Sequence, residues 1–176
     1  MDHSHSDPGF VDMFGEAFHG TSLGAARRIL STQFEIGKGK EYHLGVGAYF
    51  YERSFKSAKG WAEKVRKYNE PAVIASRIEV RSCLDFTDEA VQEEAGRLAH
   101  TLALKGRPQT FSSLIALLCN RMKADTVKAI QVAPDASSIV YSSDDVARKY
   151  PRVRVIICVK NVACIVRSEL RYPKAS

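Results

Sequence analysis

The run from Val153 to Val159 is apolar almost throughout and dominated by β-branched residues. A segment of that make-up reads as a central, buried strand, so the chain has to build a sheet around it. Ala72 to Val80 supplies a second strand by period two, with Ile74, Ser76, Ile78 and Val80 on one face. Val127 to Val132 and Ser138 to Tyr141 are shorter runs of the same kind. Helical spacing is equally plain elsewhere. Leu23, Ala26, Ile29 and Leu30 recur on one face behind Thr21 and Ser22, either of which can cap a helix ending near Ser31. Ser54 can cap another, with Ala58, Trp61, Ala62 and Val65 as its apolar face. Val91, Ala95, Leu98, Ala99 and Leu102 predict a third, stopped at Gly106 and Pro108, and Phe111 to Met122 a fourth. Helices and strands segregate rather than strictly alternate, which predicts an α+β fold and not a doubly wound parallel sheet. Between Phe34 and Gly47 lie Gly37, Gly39, Gly45 and Gly47 without a helical stripe, a loop that enters a strand at Ala48-Tyr49-Phe50.

With 176 residues, 45% of them hydrophobic, the chain can bury one core but not two ordinary ones. The expected division is a loose tail over 1–13 and a single domain over 14–176. His3 and His5 in the tail have no cysteines nearby, so no metal is expected. The longest apolar runs fall far short of the roughly 20 residues of a membrane-spanning helix, and the first residues lack the basic and apolar regions of a secretory signal. Cys83, Cys119, Cys158 and Cys164 have no CxxC spacing and sit in apolar contexts, which suits free thiols in a reducing cytoplasm. The net charge is +6, from 26 Lys and Arg against 20 Asp and Glu. It favours polyanions, yet the basic residues are scattered and no aromatic RNA-binding motif accompanies them.

Phe18-His19-Gly20-Thr21 stands just before the first helix, at the end of a short strand. Gly45-Val46-Gly47-Ala48-Tyr49-Phe50 follows, then Lys56-Ser57-Ala58 and Trp61-Ala62. This ordered set resembles the His-Tyr clade of ADP-ribosyltransferases, which includes diphtheria-like toxins and poly(ADP-ribose) polymerases. The resemblance covers most of Phe18 to Arg167. It implies an ADP-ribosyltransferase-like fold, a split and mainly antiparallel sheet flanked by helices, and NAD as the substrate. It also implies a nicotinamide pocket built from His19, Gly20, Thr21, Tyr49, Phe50, Ser57 and Trp61. In that pocket His19 bonds the ribose, Tyr49 stacks on the nicotinamide ring, Ser57 bonds the carboxamide, and a small Gly20 lets the ligand approach the backbone. The polymerases carry a second stacking tyrosine three residues after the serine; Gly60 stands there in this chain. Neighbouring Trp61 is the replacement, although it reads equally well as a core residue. Arg81 to Asp88 resembles a core strand running into a helical segment, and Val155 to Asn161 the closing catalytic strand.

Active members of the clade usually place Glu or Gln at the start of that closing strand, where this chain has Ile156. An apolar side chain gives no electrostatic help to a developing ribosyl cation. Three readings follow: a mono-ADP-ribosyltransferase of His-Tyr-Ile type, a pseudoenzyme that binds NAD or ADP-ribose without turnover, or an enzyme in which Glu169, Asp144 or Asp145 is a surrogate. The preferred expectation is glycosyl transfer of one ADP-ribose unit to a protein or nucleic-acid acceptor, with no membrane partner. The loop from Pro134 to Pro151 would meet the acceptor through Tyr141 and Arg148, with Arg152 just beyond it, although its mixed charge also suits an ordinary solvated loop. A small basic nucleic-acid-binding or toxin-like module is the alternative from another class.

Overall fold

The expected central strand is realised as β6 (Arg154–Val159), whose last four residues are buried. In the computed structural model, which describes residues 13–36, 43–131 and 154–173, its backbone is paired on both sides. Its neighbours are β2 (Ala48–Glu52) and β5 (Thr126–Gln131). Beyond β2 lie β1 (Met13–Ser22), β3 (Pro71–Glu79) and β7 (Ile165–Tyr172), and beyond β5 lies β4 (Cys83–Asp85). The seven-stranded order is β4-β5-β6-β2-β1-β3-β7, antiparallel except for the β4–β5 pair. Helices α1 (Leu23–Thr32), α2 (Phe55–Gly60), α3 (Glu89–Leu104) and α4 (Phe111–Met122) complete an α+β architecture. None of the described helices is long and apolar enough to cross a membrane.

Both faces of the sheet are covered, as the make-up of β6 requires. On one, Phe18, Tyr51, Val73, Leu84, Val127 and Ile156 pack with Ala58 of α2, Ala95 of α3, and Leu114, Ile115 and Leu118 of α4. On the other, Ala17, Phe50, Ile74, Ile157 and Val159 pack with Ala26 of α1 and with Phe34. Ser76 sits at a buried position of β3, where its hydroxyl meets that of Ser168 at 2.7 Å. That bond meets the hydrogen-bonding need of a buried hydroxyl.

The helix starts follow the capping residues. Thr21 still belongs to β1, and it is Ser22 that caps α1, accepting from the Ala25 N–H at 3.3 Å. Ser54 caps α2 through the Ser57 N–H. The helix expected from Ser54 to Val65 does not stay α throughout: from Trp61 to Val65 it widens into a π-helical turn. The third helix stops where expected, with Gly106 at φ +68°. β7 carried no expectation; Arg81 to Asp88 holds the short strand β4 and leads directly into α3, which Asp88 caps. The expected strand Ser138 to Tyr141, Val132, Val153 and the tail with His3 and His5 lie outside the described residues.

Two features of β1 shape the site. Its ladder with β3 runs to the Ser22–Pro71 pair, whereas its ladder with β2 holds only Ala17–Glu52 and Phe18–Tyr51, so the two halves of the sheet part beyond Phe18. Gly20 lies where α2 crosses β1, and a Cβ there would stand 2.1 Å from the Ala58 carbonyl oxygen. The small residue is therefore demanded by helix-on-strand contact, and not only by a ligand. Gly20→Ala should cost about 1–3 kcal/mol through overpacking, read as a lowered midpoint in urea unfolding; a midpoint equal to wild type would refute the contact as the reason for glycine.

Candidate functional site

Where β1 and β2 part, a side chain replaces the ladder: His19 Nδ1 lies 2.8 Å from the Tyr49 carbonyl oxygen. A carbonyl can only accept, so Nδ1 carries the proton and Nε2 of the neutral ring is left as an acceptor. The imidazole is packed between Phe34, edge-on at 5.2 Å between ring centroids, and Phe50 at 5.7 Å. Burial pushes its pKa below the usual 6.5, with the bond to Tyr49 opposing the shift in part. The ring is thus held neutral, with a fixed tautomer.

A cavity of about 540 Å³ opens at this parting. His19, Gly20 and Thr21 of β1 and Tyr49 and Phe50 of β2 line it, together with Trp61 from the π-helical turn and Ile156 from β6. Six of the seven residues expected at a nicotinamide pocket, and Ile156 of the closing strand, therefore share one cavity. Ser57 is the exception. It sits in the first turn of α2, its hydroxyl accepts from Ser54 Oγ at 2.7 Å, and it does not line the cavity. The capping geometry that starts α2 uses this side chain, which its sequence position could not reveal.

The Tyr49 ring is fixed at its far end. Its hydroxyl donates to the Gly45 carbonyl at 2.6 Å and accepts from the Leu44 N–H at 3.1 Å. Lys160, the residue just after β6, holds the same loop, donating to the Leu44 carbonyl and, at 2.7 Å, to the Val46 carbonyl. Gly45 adopts φ +77°, and a Cβ on Gly47 would come within 2.3 Å of Cys158 Sγ. These glycines let the loop lie flat on β6. No spacing signal marks Lys160 in advance.

Ile156 is buried, paired with Tyr51 and Ala129, and gives the cavity an apolar wall. Glu169 does not line the cavity: it lies on β7, two strands from β1, in ion pairs with Arg167 and Arg171. Asp144, Asp145, Tyr141, Arg148 and Arg152 lie outside the described residues. The carboxylate found among the described lining residues is that of Glu35, which the sequence reading did not single out, and Arg28, Phe34 and Arg66 were likewise missed. All four cysteines are free thiols whose pKa burial raises, that of Cys83 to about 11, so none offers a ready thiolate nucleophile. Among the described residues no three His, Cys, Asp or Glu side chains converge as a metal site.

Comparison with known proteins finds no family model, no curated protein and no solved structure that matches the chain.

The half-buried imidazole makes stability depend on pH with a defined sign. Its folded pKa lies below the ordinary 6.5, so the unfolded chain takes up the proton first as the pH falls. Stability from this residue is whole above about pH 7 and is lost as the pH drops through the unfolded value toward the folded one. Between about pH 7.5 and about pH 5.5, wild type should lose more unfolding free energy than His19→Gln. Equal losses in urea titrations of the two proteins would contradict a neutral, desolvated His19.

Proposed function

We propose that this chain is a mono-ADP-ribosyltransferase, taking NAD and passing a single ADP-ribose to a protein or nucleic-acid acceptor. The observation that carries the reading is the convergence of His19, Tyr49 and Trp61 on one cavity, from three separate elements. The parting of β1 and β2 after Phe18 supports a split, ADP-ribosyltransferase-like sheet.

In this reading the nicotinamide ring lies against Tyr49 and Trp61, whose aromatic faces suit a flat heterocycle. His19 accepts a hydrogen bond from a ribose hydroxyl at Nε2, which requires the neutral tautomer described above. The bond between C1′ of the ribose and the nicotinamide nitrogen breaks, and nicotinamide leaves with the bonding pair. The acceptor then forms its bond to C1′ and loses its proton to solvent or to its own neighbouring base. The Ile156 wall supplies no charge to the ribosyl cation, so orientation in the cavity and the acceptor's own groups carry the step. Extension of a polymer has no carboxylate on β6 to assist it.

Ile156 also favours a second reading, a pocket that holds NAD or ADP-ribose without turning it over. NAD labelled on its adenylate half, incubated with the protein with and without cell lysate, separates the two. Transfer of label together with nicotinamide release is the expected result, reduced about 100-fold in His19→Ala by loss of ribose orientation. Binding without label in any lysate would replace the transferase by the binding protein. Absence of both binding and label would remove NAD from the account.

A further inference from the structure

Besides His19 and Tyr49, the cavity is lined by charged side chains. On α1 the residues lining it are Ala25, Arg28, Ile29 and Thr32, the i, i+3, i+4, i+7 set of a single helical face. Arg66 lines it as well, and closes the π-helical turn through its N–H to the Trp61 carbonyl at 2.9 Å. Its guanidinium lies 5.7 Å from the centre of the Tyr68 ring, and Tyr68 lines the cavity too. The two walls are tied together, because the Leu23 N–H at the start of α1 donates to the Glu70 carbonyl at 2.7 Å. Among the described residues, two arginines from different elements thus line one cavity, with Glu35 as the lining carboxylate. Neighbouring Arg27 does not line it.

We propose that Arg28 and Arg66 form an anion clamp for the diphosphate of an ADP-ribose-containing ligand, so that the cavity selects the dinucleotide over its nicotinamide half. The proposal rests on the NAD reading for the identity of the ligand. Arginine suits the task because its planar fork matches a phosphate with paired hydrogen bonds and stays charged at any physiological pH. Five donors on each guanidinium allow a phosphate contact alongside the contacts a side chain already makes. The volume of about 540 Å³ lies within the roughly 300–1,000 Å³ typical of small-molecule and cofactor sites. The same cavity is lined by the aromatic and histidine groups and by the two arginines. A ligand reaching both needs a flat heterocycle and ribose joined to a diphosphate.

Calorimetric titration of the full chain with nicotinamide, ADP-ribose and inorganic pyrophosphate tests this, with Trp61 fluorescence as a second readout because it is the chain's single tryptophan and lines the cavity. Arg28→Gln and Arg66→Gln should each weaken ADP-ribose about tenfold or more, the scale of a lost charge-assisted bond. Each should also flatten the salt dependence of binding, leave nicotinamide affinity unchanged, and unfold at the wild-type temperature. Arg27→Gln should behave as wild type. If nicotinamide binds but both variants keep wild-type affinity for ADP-ribose, the clamp is refuted and the nicotinamide pocket stands. If nicotinamide and ADP-ribose fail to bind while pyrophosphate binds in an Arg28- and Arg66-dependent way, the NAD reading falls and the anion site stands. If none of the three binds, both are overturned.

Discussion

The hydrogen bond from His19 to the Tyr49 carbonyl spans the point at which two halves of the sheet stop pairing. A backbone carbonyl left without a partner there would be costly, because the surroundings are aromatic and partly closed to water. The imidazole removes that cost and acquires a fixed tautomer in the process. One interaction therefore both permits the cavity to exist and sets the chemistry of a residue lining it. The packing of Phe34 and Phe50 around the ring makes this dual role possible by keeping the ring uncharged.

The same economy governs the glycines. Gly20 admits α2 to within contact of β1, and Gly47 admits the Leu44–Gly47 loop to β6. Lys160 and the Tyr49 hydroxyl then lock that loop from two sides by bonding its carbonyls. The aromatic ring is thereby held at its backbone and at its tip, which leaves its faces as the part that can meet a ligand. Residues that form a recognisable pattern in the chain are thus needed by the fold in their own right. A pattern of this kind is evidence about backbone geometry first, and about a ligand only where the geometry leaves room for one.

That distinction explains what could be read from the residues alone. Strong periodicity marked β3, β6 and the four helices, because burial on one stripe or on both faces leaves a direct trace in the order of apolar residues. β7 left no such trace: Ile165–Tyr172 is an edge strand, half-exposed along most of its length, and alternates no clean face. The widening at Trp61–Val65 was equally silent, since the apolar spacing of an α-helix and of one π-helical turn is nearly the same. In the site, the Ser57 hydroxyl accepts from Ser54, the cap of α2, a contact that its place in the sequence does not reveal. Arg28 and Arg66 went unnoticed because only the rotation of α1 and the tertiary bond from Leu23 to Glu70 bring their elements together.

Ile156 is where fold and proposed chemistry pull against each other. It lies on the strand that is buried on both faces, flanked by Tyr51 and Ala129, and its own position is almost closed to solvent. A carboxylate there would have to be held ionised against desolvation by close donors, and its two ladder neighbours offer only a phenol and a methyl group. The apolar residue is therefore the one this wall can most readily hold, whatever reaction the cavity performs. In the proposed transferase, negative charge near the ribose would come from another lining residue such as Glu35, or from the acceptor itself. Such an enzyme would couple bond cleavage to the arrival of the acceptor, because the buried wall supplies nothing that would stabilise a cation formed in its absence.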